Sequence, residues 1–546
     1  MTMKLHFFLL MLLLLMTQNK SWGLPRPPIY TMPNTNYLLI ENTKNDSTYI
    51  LNFKRFPQNR LAGANDWSSQ KGLTQFKLAY VNADISIQIP KGFNLDMWET
   101  GPISYPYITQ GCSTLTPNCT NDGKSPEHPQ VVDEQGFYGL MNSSVQEASA
   151  RISPSFLNYL KSLPVRTPLI REMNLCVTSE SYDALQGQRC KDMSTGTWRI
   201  SRTVNYKEAH LKLTPTTGSD VIMLDSVGNP IISPGSTNCK IYSLSAQEKD
   251  KGGVLCTIAH YKIEFASASD EIISVATMSL RSKLHNPELN VYDSVLFITN
   301  AGYVSPARPN GLSLEWLRRG QSISVFFTKK YLSEYIKKSS NIPLTDSIEF
   351  FIQNLIEPGL GEYVLTPSSQ IDIKPREYSV SILSSDGLTT PYRGGLIGKD
   401  ILSFPYRIME SGPASADKLD VTLSQDSGTP FQGACTFYPT NQVNNSVAVP
   451  INTYLRFYID KISQAKVKLP IGCNRVPVDI RKSGIRDSEP QVNWTDPNGS
   501  SGITRSYLLD LEFDLTDQQA QKTVTGDIWE GEVHQSGTLT IKGSWR

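Results

Sequence analysis

The stretch Leu509-Asp510-Leu511-Glu512-Phe513-Asp514-Leu515 alternates apolar and acidic residues without a break. Successive side chains of an extended chain point to opposite faces, so this pattern puts the apolar residues on one side of a strand and the carboxylates on the other. Wound into a helix, the same residues would spread charge around the whole circumference. The two-residue period returns in Asp84 to Ile89 and in Arg376 to Ile382, where Tyr378, Val380 and Ile382 are expected to face inward. It returns again at the end of the sequence, where Leu539, Ile541, Gly543 and Trp545 alternate with Thr538, Thr540, Lys542 and Ser544. A chain so patterned, with Gly- and Pro-marked turns such as Asp496-Pro497-Asn498-Gly499 between its strands, is expected to be all-β.

Residues 1–23 read as an export signal, with Lys4 as the charged start, Phe7 to Met16 as the apolar run, and Ser21-Trp22-Gly23 as the cleavage site. The rest is too long for one ordinary core. Three stretches of similar length, residues 24–207, 208–374 and 375–546, suggest tandem immunoglobulin-like β-sandwiches. Two short helices interrupt the strands. Ser153 offers a cap, Pro154 a first turn, and Phe156, Leu157 and Leu160 one apolar face ending before Pro164; Tyr331, Leu332, Tyr335 and Ile336 make a similar face. The two helical stretches look alike, which fits either an internal duplication or chance.

The eight cysteines fall into four local pairs: Cys112 and Cys119, Cys176 and Cys190, Cys239 and Cys256, Cys435 and Cys473. In an exported chain they read as disulfides rather than metal ligands. Pairing of neighbours is expected, although spacing leaves other connectivities open. Lys and Arg number 52 against 51 Asp and Glu, so net charge offers nothing to attract nucleic acid. The histidines show no metal-ligand spacing, and Gly394 to Lys399 resembles a phosphate loop only until Arg393 and Asp400 occupy positions that need Gly and Ser or Thr. Carboxylate pairs such as Asp96 and Glu99, or Asp133 and Glu134, read as surface charge. No cofactor is implied. An exported polysaccharide hydrolase using paired carboxylates is the enzymatic alternative.

The last stretch raises a different possibility. Asp527 to Val533 reads as a strand, Gln535-Ser536-Gly537 as a tight turn, and Thr538 onward as a second strand, after which the sequence stops. If that last strand is interior, it is flanked on both sides. If it is outermost, it offers a free edge beside an apolar face, which another chain can pair with.

Several ordered stretches resemble one family, the tip adhesins of the enterobacterial common pilus (Ecp, or Mat, fimbriae). They are Leu61 to Asn65 with Trp67, Asp96-Met97-Trp98-Glu99, Gly136-Phe137-Tyr138-Gly139, Tyr182-Asp183-Ala184 and Arg189-Cys190-Lys191-Asp192. Further along come Ile373 to Arg376, Trp494-Thr495-Asp496, and Gly531-Glu532-Val533 with Ser544-Trp545-Arg546. The resemblance implies a fimbrial tip adhesin at the cell surface, built by a periplasmic chaperone and an outer-membrane usher and attached to a major pilin subunit. It also implies that the C-terminal domain is pilin-like and lacks its last strand, with Leu539, Ile541, Gly543 and Trp545 lining an acceptor groove for a donor strand. A structural tip subunit without a receptor is the alternative. If the C-terminal region faces the fibre, a glycan or protein receptor on a host cell or surface must meet the distal regions. There Arg189, Lys191 and Asp192 flank Cys190 on a loop that a Cys176–Cys190 bridge would pin, with Trp198 close by; these four are the candidate receptor contacts. The competing reading makes Arg189 and Asp192 a salt bridge and Trp198 core.

Overall fold

The computed structural model describes residues 23–546 apart from 44–45, 53–60, 65–78, 101–104, 111–127, 143–145, 215, 217–218, 233–235, 244–251, 267–275, 283–294, 300–301, 305–311, 340–343, 345–346, 355–361, 366, 368–369, 387–389, 440–444 and 460–464. The export signal up to Trp22, Trp67, and the pair Cys112 and Cys119 lie outside the described residues. Within them the fold is all-β, with α-helices at Pro154–Ser162 and Lys329–Ser339.

The first two regions are built on one strand, Thr197–Thr214. Its first half pairs antiparallel with Pro168–Thr178, and its second half pairs antiparallel with Gly252–Phe265. Along its other edge run two parallel partners, Ile29–Thr31 and then Thr35–Asn42. The strand Thr35–Asn42 is buried on both faces: Tyr37 and Leu39 enter the first core, while Leu38 and Ile40 enter the second. Two sandwiches therefore share a wall. The expected break between residues 207 and 208 falls inside an unbroken strand. Two polar residues of that strand, Asn205 and Lys207, are fully buried. Asn205 accepts a hydrogen bond from the Thr35 hydroxyl. The Lys207 ammonium donates to the carbonyl of Leu160 at 2.6 Å, at the open end of the first helix, where the last carbonyls have no partner of their own.

That helix starts as its sequence dictates. Ser153 Oγ accepts from the Phe156 N–H at 3.2 Å, Pro154 occupies the first turn, and Phe156, Leu157 and Leu160 are buried. The second helix buries Tyr331, Leu332 and Tyr335 against the middle core. Each helix follows a core strand, Gln146–Ile152 or Ser322–Thr328, and leads into another, Pro168–Thr178 or Ile348–Asn354.

The C-terminal region is a sandwich of two sheets. One runs Ser379–Ser384, Ile401–Gly412, Ser501–Asp514, Val449–Tyr458, Cys435–Pro439 and Val533–His534; the other runs Val478–Asp479, Lys418–Gln425 and Gly537–Ser544. The alternation of Ser501–Asp514 is used on both faces. Leu509 and Leu511 enter the core, while Asp510, Glu512 and Asp514 reach Lys466, Arg456 and Lys468 at 3.2, 3.0 and 2.9 Å.

The middle region passes into the C-terminal one almost without slack. The strand Gln370–Pro375 pairs in parallel with Ser219–Leu224, and the chain bends at Tyr378 (φ 52°) directly into Ser379–Ser384. A polar joint fixes the bend. Arg376 Nη1 bonds Asp496 Oδ1 at 2.9 Å and stacks 4.6 Å over the ring of Trp494. Asp496 is wholly buried, and its second oxygen accepts from the Ser226 N–H at 3.1 Å. Beside it Val221 and Met223 of the middle region pack on Leu383 and Met409 of the last. Removing the guanidinium leaves a buried carboxylate with its charge uncompensated, which typically costs ~3–5 kcal/mol. Arg376→Ala is expected to lower the unfolding midpoint and to open the junction near Ser226 to limited proteolysis, whereas Arg505→Ala, with its exposed partner Gln491, should do neither.

Candidate functional site

The final strand, Gly537–Ser544, pairs along one edge with Lys418–Gln425, so that Leu539, Ile541 and Gly543 stand opposite Leu423, Val421 and Leu419. Among the described residues no strand pairs with its other edge. Across the gap lies Ser379–Ser384, which is likewise paired on one side only, with Ile401–Gly412. The expected hairpin with Asp527 to Val533 does not form. Only Val533–His534 is a strand, and it pairs with Cys435–Pro439 in the opposite sheet. Local alternation can identify a strand but not its partner, and Gly531 (φ 120°) breaks the run.

The gap between the two unpaired edges is an apolar trough. Leu539, Ile541, Gly543 and Trp545 are half-buried, and the intervening Thr538, Thr540, Lys542 and Ser544 are exposed. Val380 and Ile382 face inward as expected but are also only half-buried, because nothing covers them. Tyr378, expected to face inward, is exposed and meets the Trp545 ring edge-on at 5.8 Å. That contact closes one end of the trough, with Gly543 tight against the Trp545 ring. The same domain holds a cavity of about 930 Å³ floored by Leu402, Phe404, Phe437 and Phe513, with Trp529 on its wall. Exposed Tyr392, Leu396 and Ile528 stand around the mouth. Phe404 and Phe513 were not recognisable from sequence as cavity residues, since an uncovered core position alternates just as a covered one does.

In the first region, four of the stretches singled out in the sequence converge on one carboxylate. Asp96 Oδ1 accepts from the Gly139 N–H at 2.7 Å and from the Tyr182 hydroxyl at 2.5 Å, and Oδ2 accepts from the Cys190 N–H at 2.7 Å. Burial pushes its carboxyl above the usual range, opposed by those three hydrogen bonds and by Arg189. Glu99 is also buried and ion-paired with Arg171. The reading of Asp96 and Glu99 as surface charge is thus corrected: each is held in the interior by donors that come from distant parts of the sequence. Asp133 and Glu134 are exposed.

The Cys176–Cys190 disulfide pins the loop over this cluster. The structure also joins Cys239 to Cys256 and Cys435 to Cys473. Arg189 is turned inward, 4.1 Å over the Tyr138 ring, and donates to the carbonyls of Ala184 and Gln188. Its expected alternative partner, Asp192, bonds Lys191 instead at 2.7 Å, both in solvent. Trp198 is half-buried, 5.9 Å from Trp98, and its indole N–H donates to Asn174. His210 is half-buried, with Nε2 3.3 Å from Glu41.

The chain is thus all-β, with two sandwiches that share a wall and a third left open between two unpaired strand edges among the described residues. The chain belongs to the E. coli common pilus adhesin EcpD family: the N-terminal domain of that family matches residues 26–211, the middle domain 216–370 and the C-terminal domain 377–543. It is similar to the fimbria adhesins EcpD of Escherichia coli O157:H7 and of strain K12, each 26% identical over 527 residues that cover 94% of this chain and 93% of the relative. Membership makes it a fimbrial adhesin of the cell surface, adhesive rather than catalytic. Among solved structures it matches a chaperone–tip adhesin complex of CFA/I fimbriae (10% identity, 61% of this chain, 92% of that chain, TM-score 0.18). It also matches CfaE, the adhesive subunit of CFA/I fimbria of enterotoxigenic Escherichia coli (9% identity, 60% and 94% coverage, TM-score 0.16). Scores that low carry no argument about the fold.

The Asp96 cluster makes a firm expectation. Asn at this position keeps one acceptor but turns an amide NH₂ toward an N–H or hydroxyl that needs an acceptor, at a typical cost of ~1–3 kcal/mol or more for a charged partner. Asp96→Asn should therefore lower the unfolding midpoint of the first region and loosen residues 182–192, read as faster amide exchange at Gly139 and Cys190. Glu134→Gln, at an exposed position of the neighbouring turn, should leave both unchanged.

Proposed function

We propose that the chain ends a pilus of the chaperone–usher type as its tip adhesin. The trough between Gly537–Ser544 and Ser379–Ser384 receives a strand first from a periplasmic chaperone and then from a pilin subunit, and assembly passes through an outer-membrane usher. The observation that carries this reading is the final strand, bonded along one edge only, with half-buried apolar side chains over an open core. An incoming strand would satisfy both unpaired backbone edges and cover that row. Covering the exposed halves of the three side chains Leu539, Ile541 and Trp545, at half of ~1.5–3 kcal/mol each, contributes ~2–5 kcal/mol. That is a large share of the stability of a marginal domain, ~5 kcal/mol.

The other end of the chain supports a terminal place in the fibre. The Leu24 N–H donates to the Lys191 carbonyl at 2.8 Å, and Ile29–Thr31 pairs with Ile200–Arg202 of the same chain. Residues 24–31 are thus committed to their own sandwich and include Pro25, Pro27 and Pro28, which lack the amides a ladder needs. Recognition then falls to the first and middle regions. Of the four candidate contacts, Lys191 and Asp192 are the exposed ones, ion-paired with each other, while Arg189 and Trp198 are turned into the fold.

Residues from 375 onward, purified alone, are expected to aggregate or unfold at low temperature. Adding a pilin-derived strand peptide should raise the midpoint, and Ile541→Asp should abolish that rise. A cooperative, high-temperature transition of the isolated monomer would sink the strand-acceptor reading. Recognition is tested separately: cells displaying the intact chain should adhere more than cells without it, and equal adhesion would favour a structural tip subunit. Lys191→Ala with Asp192→Ala, which leaves the buried cluster untouched, then reads the loop's share.

A further inference from the structure

Where the first two sandwiches meet, the end of the helix Pro154–Ser162 overhangs the outer face of the shared wall. Beneath it is a cleft of about 600 Å³. Its floor comes from three adjacent strands in register: Lys212 lies beside Glu41 on one side and Lys262 on the other, and His210 lies beside Glu264. Its roof is Asn158, Lys161 and Ser162, and its apolar wall is Leu163 and Pro164. This is a converging set of charges and hydrogen-bonding groups in a recess, unlike the apolar trough of the last domain.

The arrangement restricts what can enter. Glu41 sits between His210 Nε2 at 3.3 Å and Lys212 Nζ at 3.7 Å, and Lys262 is 3.2 Å from Glu264. Three lysines line the cleft against two glutamates, Lys161 being held 3.0 Å from Asp46 outside it, and the buried Lys207 ammonium adds another positive charge behind the roof. A simple cation would be repelled, and a polyanion such as nucleic acid would meet Glu41 and Glu264. An apolar ligand would find only Leu163 and Pro164. What suits every group is a singly acidic, polyhydroxylated molecule: its carboxylate meets Lys212 and Lys262, whose side chains are 47% and 76% exposed and free to turn. Its hydroxyls donate to the glutamates and bond Asn158 and Ser162, and its ring C–H face lies against Pro164.

We propose that this cleft is a binding site for a carboxylate-bearing sugar, gripped jointly by the first and middle regions. The proposal rests on the adhesin reading and assigns it a receptor class.

The test is calorimetric titration of the full chain, its trough filled by a strand peptide, with two probes: a sialic-acid-terminated and a glucuronic-acid-terminated trisaccharide. The methyl ester of each is the control. One or both acids should bind, and their esters should bind at least about tenfold more weakly, the loss of one charge-assisted contact. Lys212→Glu with Lys262→Glu should weaken binding by a similar factor or more in a chain that still unfolds cooperatively, at a lower midpoint because like charges then face each other across the strands. Should the double variant not fold, Lys262→Glu alone, at the rim, must show the same direction. Absence of binding by both acids, esters that bind as well as the acids, or folded variants that bind as the wild type does would each overturn the proposal. Cell adhesion is read in parallel. Adhesion that persists with no acid binding overturns this site alone, whereas a chain that confers no adhesion overturns the adhesin reading beneath it.

Discussion

The backbone ladder of one eighteen-residue strand, Thr197–Thr214, holds the distal half of the molecule together. It exchanges hydrogen bonds with four other strands, two on each edge, and through them supplies a wall to two cores. A wall with apolar residues on both faces cannot slip by one residue without moving Tyr37 and Leu39 into the wrong core and Leu38 and Ile40 into the other. The register is therefore doubly specified. The polar residues it buries, Asn205 and Lys207, are tolerated because each has a partner, and Lys207 ties the helix to the wall on which it rests.

The C-terminal sandwich shows the opposite economy. Its interior is complete along Leu419, Val421, Leu423, Ile408 and Tyr507, then thins toward the two unpaired edges, where Val380, Ile382, Leu539 and Ile541 are left half-covered. The charged ladder on its outer face and the Cys435–Cys473 bridge secure the closed part of the domain. What the domain lacks is confined to that seam, so a strand laid there would complete the core that the two sheets leave half-covered.

What the sequence revealed follows from how local the causes are. The helix at Ser153 was legible because its cap, proline and apolar face lie within a few residues of one another. The apolar face of Leu539 to Trp545 was legible for the same reason. The partner of that strand was not, because pairing with Lys418–Gln425 is settled across more than a hundred residues of sequence. The same holds for Asp96, whose donors Gly139, Tyr182 and Cys190 come from three separate segments. An acidic residue next to another looks like solvent-facing charge until those donors are seen. The family's N-terminal domain ends at residue 211 and its middle domain begins at 216, close to the expected boundary, while the strand Thr197–Thr214 runs on through it.

The joint between the middle and last regions acquires another meaning once the fibre is under flow. Drag on the tip must pass through Gln370–Pro375, since only Arg376 to Tyr378 separates that strand from Ser379. Its neighbour Ser219–Leu224 runs in the same direction and is tethered to the distal sandwiches at its opposite end. Tension therefore loads all the rungs of that pair together in shear instead of peeling them one after another, and Arg376 with Asp496 sits where the first rung would begin to give. The junction is built as a tensile coupling.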